Sequence, residues 1–129
     1  MSQINNVIGW FEIPVTDMQR AISFYSTVFD DKLQHHVFGD EEMAWFPFNE
    51  TGTGASGSLV KHETFYQPAA NGILIYFSSP SGNLANELAK VESAGGKVLQ
   101  EKKLITEDVG YMGLFLDTEG NRIAIHSRV

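Results

Sequence analysis

The chain reads as one pattern used twice. A strand-like segment, a helix-like segment and three more strand-like segments fill the first half, and the same order returns in the second. Sliding one half over the other by about 63 to 68 positions aligns Gly9 with Gly72, "SLVKH" with "RIAIH", and the two helices. Self-similarity of this kind means one supersecondary unit used twice, neither copy able to bury its apolar face alone. The expected fold is therefore α+β: two βαβββ modules, about 1–64 and about 70–129, in a single domain. Their helices should cover one side of curved, mixed sheets, which leaves the concave side open as a cleft.

The alternation in "WFEIPV" sets Phe11, Ile13 and Val15 on one face and Trp10, Glu12 and Pro14 on the other. The first face belongs to the core. The second carries a carboxylate between apolar neighbours, and burying it without a partner would cost several kcal/mol or force it to take up a proton. That face should border something wet or hollow. Thr16 or Asp17 can cap the following helix, whose stripe is Met18, Ala21, Ile22, Tyr25, Val28 and Phe29. "KLQHHVF", "MAWFPF" and "SLVKH" read as strands. "NETGTGASGS" between the last two lacks the Lys-Ser/Thr ending and following helix of a phosphate loop, and reads as a lid or hairpin connection. In the second half "GILIYFS" is a strand. Asn83 caps "LANELAKVESA", with stripe Leu84, Leu88 and Val91, and Gly95-Gly96 ends it. "KVLQEK", "YMGLFLD" and "NRIAIHS" complete the pattern.

Composition removes whole classes of function. Without cysteine there are no disulfides, thiolate metal sites or thiol nucleophiles. No apolar run approaches the ~20 residues of a membrane span, and "MSQINNVIG" lacks the basic and apolar blocks of a secretory leader. A cytoplasmic protein is expected. With 9 Lys plus Arg against 16 Asp plus Glu, no basic face is available for nucleic acid. His35 and His36 point to opposite faces of a strand, cannot chelate together, and read as surface residues. Arg20 stands three residues after Asp17, the spacing of a helix-surface pair.

Asp17, Arg20, Ala21, Phe24 and Tyr25 in "D-x-x-R-A-x-x-F-Y", then "ESAGGKV", then Asp117 to Ile123 in "D-x-E-G-N-R-I", resemble the vicinal oxygen chelate superfamily. That group includes glyoxalase I, bleomycin-resistance proteins and extradiol dioxygenases. The likeness covers essentially the whole chain and is nearest to small bacterial proteins related to lactoylglutathione lyase. It implies paired βαβββ modules, a homodimer, and a cleft that holds a divalent metal in the catalytic members, with ligands from the first and last strands of each module. Carried over, those positions fall on Trp10, near Val60, near Ile73 or Leu74, and on Ala124, none able to bind a metal. The standard glyoxalase I site is thus expected to be missing.

Two residues further along each strand, a step of about 6.5 Å that keeps the face, stand Glu12, His62 and His126. Two imidazoles and a carboxylate are a recognised set for a divalent ion, so these three form a candidate metal site. Glu12 and His126 are the candidate catalytic pair, and Trp10, Glu12, Val60, His62, Ala124 and His126 the candidate cleft residues. The competing reading leaves His62 and His126 solvated or bonded to backbone. Of the aromatics in predicted strands (Trp10, Trp45, Phe46, Phe48, Tyr76, Tyr111 and Phe115), those facing away from the helices would line the cleft and favour a flat or apolar small molecule. Three functions stay open at this point: a metal-free binder of such a molecule, a divalent-metal lyase, isomerase or dioxygenase, and an accessory domain with a vestigial cleft.

Overall fold

The computed structural model describes residues 6–129; residues 1–5, part of the stretch inspected for a leader, lie outside the described residues. In chain order the elements are β1 (Phe11–Pro14), α1 (Met18–Phe29), β2 (Gln34–Phe38), β3 (Glu41–Trp45), β4 (Gly57–Lys61), β5 (Ile75–Ser78), α2 (Leu84–Val91), β6 (Lys97–Thr106), β7 (Gly110–Leu116) and β8 (Arg122–Ser127). They form two four-stranded sheets, ordered β1-β4-β3-β2 and β5-β8-β7-β6. β1 runs parallel to β4, β5 parallel to β8, and the remaining pairs are antiparallel. This is the duplicated α+β arrangement that the repeat predicts.

Local chemistry sets the boundaries. Asp17, not Thr16, caps α1: its carboxylate accepts the Arg20 backbone N–H at 3.1 Å. The helix stops where Asp30 turns to φ 54°. The Asn83 side chain caps α2 through the Ala85 N–H at 3.1 Å. α2 ends at Val91, short of the Ala94 expected, because the Gly96 N–H folds back onto the Val91 carbonyl at 2.9 Å while Gly95 takes φ 105°. β3 ends before Pro47, which has no N–H to give a ladder, and Phe48 lies exposed beyond it.

A single core serves both sheets. Phe29 stacks on Phe77 of β5 with ring centroids 4.6 Å apart, Phe24 meets Phe115 of β7 at 5.8 Å, and Tyr25 meets Phe46 at 5.6 Å. The first module's helix therefore fills the second module's inner face, each buried ring contributing about 2–3 kcal/mol. Leu59, Ile123 and Ile125 belong to this cluster. Ile13 and Val15 are buried in it as the alternation predicts, while Trp10 and Glu12 take the other face.

The strand register corrects the internal alignment. Pro14 pairs with Val60 and Ser78 with His126, and the Val15 and Ser79 amides donate to the Val60 and His126 carbonyls at 2.9 and 2.8 Å. Val60 is thus the counterpart of His126, at the same separation as the two helix caps. The alignment of "SLVKH" with "RIAIH" is two residues off.

The motifs "D-x-x-R" and "D-x-E-G-N" meet across the modules. The Glu119 side chain, wholly shielded, accepts from Arg20 Nε at 2.8 Å, from the Thr16 and Asp17 amides at 2.9 and 2.8 Å, and from the Thr16 and Thr118 hydroxyls at 3.0 and 2.9 Å. Arg20 therefore pairs with Glu119 and not with Asp17. Burial works to raise the Glu119 carboxyl, but hydrogen bonds from Arg20, the two amides and Thr118 outweigh it and hold it at about 2. An unfolded Glu titrates near ~4.3. The depressed value means stability that is fully present above about pH 4.5 and drains away as pH falls toward 2, on the order of 2–3 kcal/mol in all. Glu119→Gln should lose about that amount at neutral pH and flatten the acid limb; urea unfolding at a series of pH values checks it, and an unchanged acid limb would refute it.

Candidate functional site

β1 and β5 are edge strands of their own sheets, and between them opens a groove of about 960 Å³. Trp10 to Pro14 form one wall and Ile73 to Ser78 the other, with Thr53 to Ser56 and Asn121 to Ile123 at the rims. The glycine-rich "NETGTGASGS" stretch is therefore a hairpin connection that borders the groove. At one end, the Asn121 side chain donates to the Pro14 carbonyl at 2.8 Å and accepts the Ala69 N–H at 3.1 Å, which ties the inter-module linker to β1.

Glu12 sits half-buried on the wall, and its carboxylate accepts a hydrogen bond from the Tyr66 hydroxyl at 2.6 Å. This bond, aided by burial and by the Glu12 charge, pushes the phenol up to about 12. The carboxylate in mid-strand thus borders a hollow and has a neutral donor as partner. Behind it, the register lines up Glu12, Ser58, Trp45 and Gln34 across four strands on the face away from the helices. Trp10 meets Trp45 edge-on with centroids 6.2 Å apart, and His36 and Phe38 pack on Trp45 at 4.2 and 6.1 Å. His36 is consequently part of an aromatic wall and not a surface residue. His35, on the opposite face, is exposed and bonded to Glu42 at 2.5 Å.

Of the residues expected to share a site, Trp10 and Glu12 line the groove. Val60 faces the same side of its sheet as Glu12, but both it and Ala124, which belongs to the other sheet, are fully buried. His62 lines a separate, smaller hollow beside Val37 and Glu41, and its Nδ1 accepts the Thr64 N–H at 3.1 Å. It stands four residues along the strand from Glu12's partner Ser58, about 13 Å away. His126 lies between Ser78 and Met112 outside the groove walls, with Nε2 2.6 Å from the Val109 carbonyl, so Nε2 carries the proton. Glu12 and His126 are not brought together. Among the described residues no three His, Asp or Glu side chains gather where they could hold an ion. The one hydrogen-bond partner of the Glu12 carboxylate among the described residues is a neutral phenol, and no second carboxylate or imidazole stands beside it. The residues present do not fit a metal.

Sequence reasoning missed Tyr66 and Ser58. Tyr66 leaves no local trace, since it reaches Glu12 from 54 residues away. The alternation of "QHHVF" and "EEMAW" did contain the signal that pairs His36 with the Trp45 face.

No curated protein matches the chain in sequence. Solved structures share its fold. The trypanothione-dependent glyoxalase I of Leishmania major superposes with a TM-score of 0.70 at 13% identity, over 96% of this chain and 88% of that one. TnmS3, described as an antibiotic-binding protein from a Streptomyces species, gives 0.67 at 18% identity over 98% of each chain. Glyoxalase I from Zea mays gives 0.66 at 16% identity over 92% of this chain and 45% of that one, so the chain spans about half the length of the maize enzyme. Among the described residues no helix is long and apolar enough to cross a membrane. The model of the Glyoxalase/Bleomycin resistance protein/Dioxygenase superfamily matches residues 7–125, nearly the whole chain, and the chain belongs to that superfamily.

Proposed function

We propose that this chain is a glyoxalase-related protein that binds a small, partly aromatic or apolar molecule in the groove between β1 and β5, without the metal site of glyoxalase I. The make-up of the walls carries the reading. Trp10, Ile73 and Tyr76 turn apolar surface into the opening, and Glu12 supplies a polar handle. A volume near 960 Å³ suits a drug-sized guest. The description of TnmS3 as antibiotic-binding, brought here by likeness of fold, favours a holding role over a catalytic one. Trp10 and Ala124 stand where the resemblance places metal ligands and cannot serve as such. The proposal includes a single-domain homodimer in the cytoplasm, with no nucleic-acid partner because a net charge of -7 repels phosphate.

Titration with the neutral fluorophore N-phenylnaphthylamine, paired with elemental analysis of the native protein, tests this. Metal-free protein should bind the probe, and Trp10→Ala should weaken binding about tenfold through loss of an aromatic wall. One ion per chain that disappears in Glu12→Ala and in His126→Ala would overturn the proposal in favour of a metal-dependent enzyme.

A further inference from the structure

The row behind Glu12 contains polar atoms that the protein does not use. Ser58 is fully buried, yet among the described residues its hydroxyl has no hydrogen-bond partner, and the same holds for the shielded Trp45 Nε1 and His36 Nε2. A buried polar group left in this way costs about 1–3 kcal/mol, and such groups in native proteins are normally satisfied. Ser58 and Trp45 are direct cross-strand partners, and Ser58 is in turn the partner of Glu12, so all three project from the same face. The order of chemistry along the row is acceptor (Glu12), donor or acceptor (Ser58), donor (Trp45). Adjacent strands set these side chains about 4.8 Å apart.

From this juxtaposition we propose that the row, of which Glu12 lines the groove and Ser58 and Trp45 lie shielded behind it until Tyr66 withdraws, reads the edge of a planar heterocycle in which an N–H stands next to a carbonyl, as in a lactam or cyclic imide. The N–H faces Glu12 and the carbonyl faces the Ser58 hydroxyl and the Trp45 indole. Trp10 and His36 flank Trp45 and give the ring plane aromatic neighbours. The charged side chains on the groove walls are Glu12, Asp31 and Arg122, two acids and one base, which disfavour an anionic guest.

Tyr66 supplies the second half of the proposal. It belongs to the stretch 62–74, which has neither helix nor strand, and its phenol already donates to the oxygen that a guest N–H would need. Tyr66 acts as a built-in stand-in for the guest, and withdrawal of its ring accompanies binding. The inference rests on the binding function proposed above and names the class of molecule bound.

The two tryptophans of the chain give two indole N–H signals in heteronuclear NMR, assigned with Trp10→Phe. Carbostyril, a planar lactam, is titrated against N-methylcarbostyril, which keeps the ring and carbonyl and lacks the N–H. Carbostyril should move the Trp45 indole signal downfield, and the methylated analogue should bind about tenfold more weakly. Ser58→Ala should weaken carbostyril about fivefold without affecting the fold, while Tyr66→Phe, which removes the competing donor, should tighten it several-fold. Equal binding of the two compounds, or a Trp45 signal that does not respond to carbostyril, overturns the edge-reading inference. If N-phenylnaphthylamine still binds in that case, the groove function survives without it. Failure of all three compounds to bind defeats both.

Discussion

Replacing Asp117 with alanine should lower the free energy of unfolding by about 4 kcal/mol. Asp117 is 4% exposed and accepts four hydrogen bonds: from the Tyr25 hydroxyl at 2.6 Å, the Asn121 side chain at 3.0 Å, and the Asn121 and Glu119 amides at 2.9 and 2.8 Å. Deleting the acceptor leaves all four donors in a space where water cannot replace it, at about 1–3 kcal/mol for each one left orphaned. Tyr25→Phe removes only one donor and should lose about 1 kcal/mol. The Tyr25 phenol is pushed well above its ordinary range by burial first and by the Asp117 charge second, so it remains a donor at every accessible pH. Urea unfolding of both variants checks the pair. If the alanine variant unfolds within about 1 kcal/mol of the parent, the network does not hold the modules as described.

Gly57→Ala should be nearly as damaging, and for a steric reason. Gly57 opens β4 directly opposite Phe11 of β1, and a Cβ there would lie 2.2 Å from the Phe11 carbonyl oxygen and 2.5 Å from its ring. A backbone oxygen cannot swing aside as a side chain can. The two strands must part, at an overpacking cost of about 3 kcal/mol. Because β1 carries Trp10 and Glu12, the same substitution should abolish N-phenylnaphthylamine binding even in variants that remain folded. Thermal unfolding followed by probe titration separates the two effects; parent-like values in both would show that β1 and β4 do not approach as closely as this.

What was legible in the sequence followed from local rules. Caps at Asp17 and Asn83, the helical stripes and the alternation in "WFEIPV" are written within a few residues of where they act. They placed ten elements in order and assigned the two faces of β1. The two-residue slip between "SLVKH" and "RIAIH" has a definite cause. Strand side chains alternate with period two, so a one-residue error flips every face and is noticed, whereas a two-residue error preserves the pattern. Only pairing to a neighbouring strand, Pro14 to Val60 and Ser78 to His126, breaks the tie. That slip is also what made His62 and His126 look equivalent. The contacts of Glu119 with Arg20 span 99 residues and that of Tyr66 with Glu12 spans 54. No short window of sequence encodes them.

Much of the stretches that resembled a known superfamily turns out to be joinery. Arg20, Tyr25, Asp117 and Glu119 clasp the two modules together and take no part in the walls of the groove. Trp10 and Glu12, which line the groove, and Tyr66, bonded to Glu12, lie outside those stretches, although Asn121, Arg122 and Ile123 of the last one reach the rim. Joints and walls are thus drafted largely on separate lines of the chain: under the binding function proposed above, descendants can change what they hold by altering a handful of outward letters while the joints stay as they were.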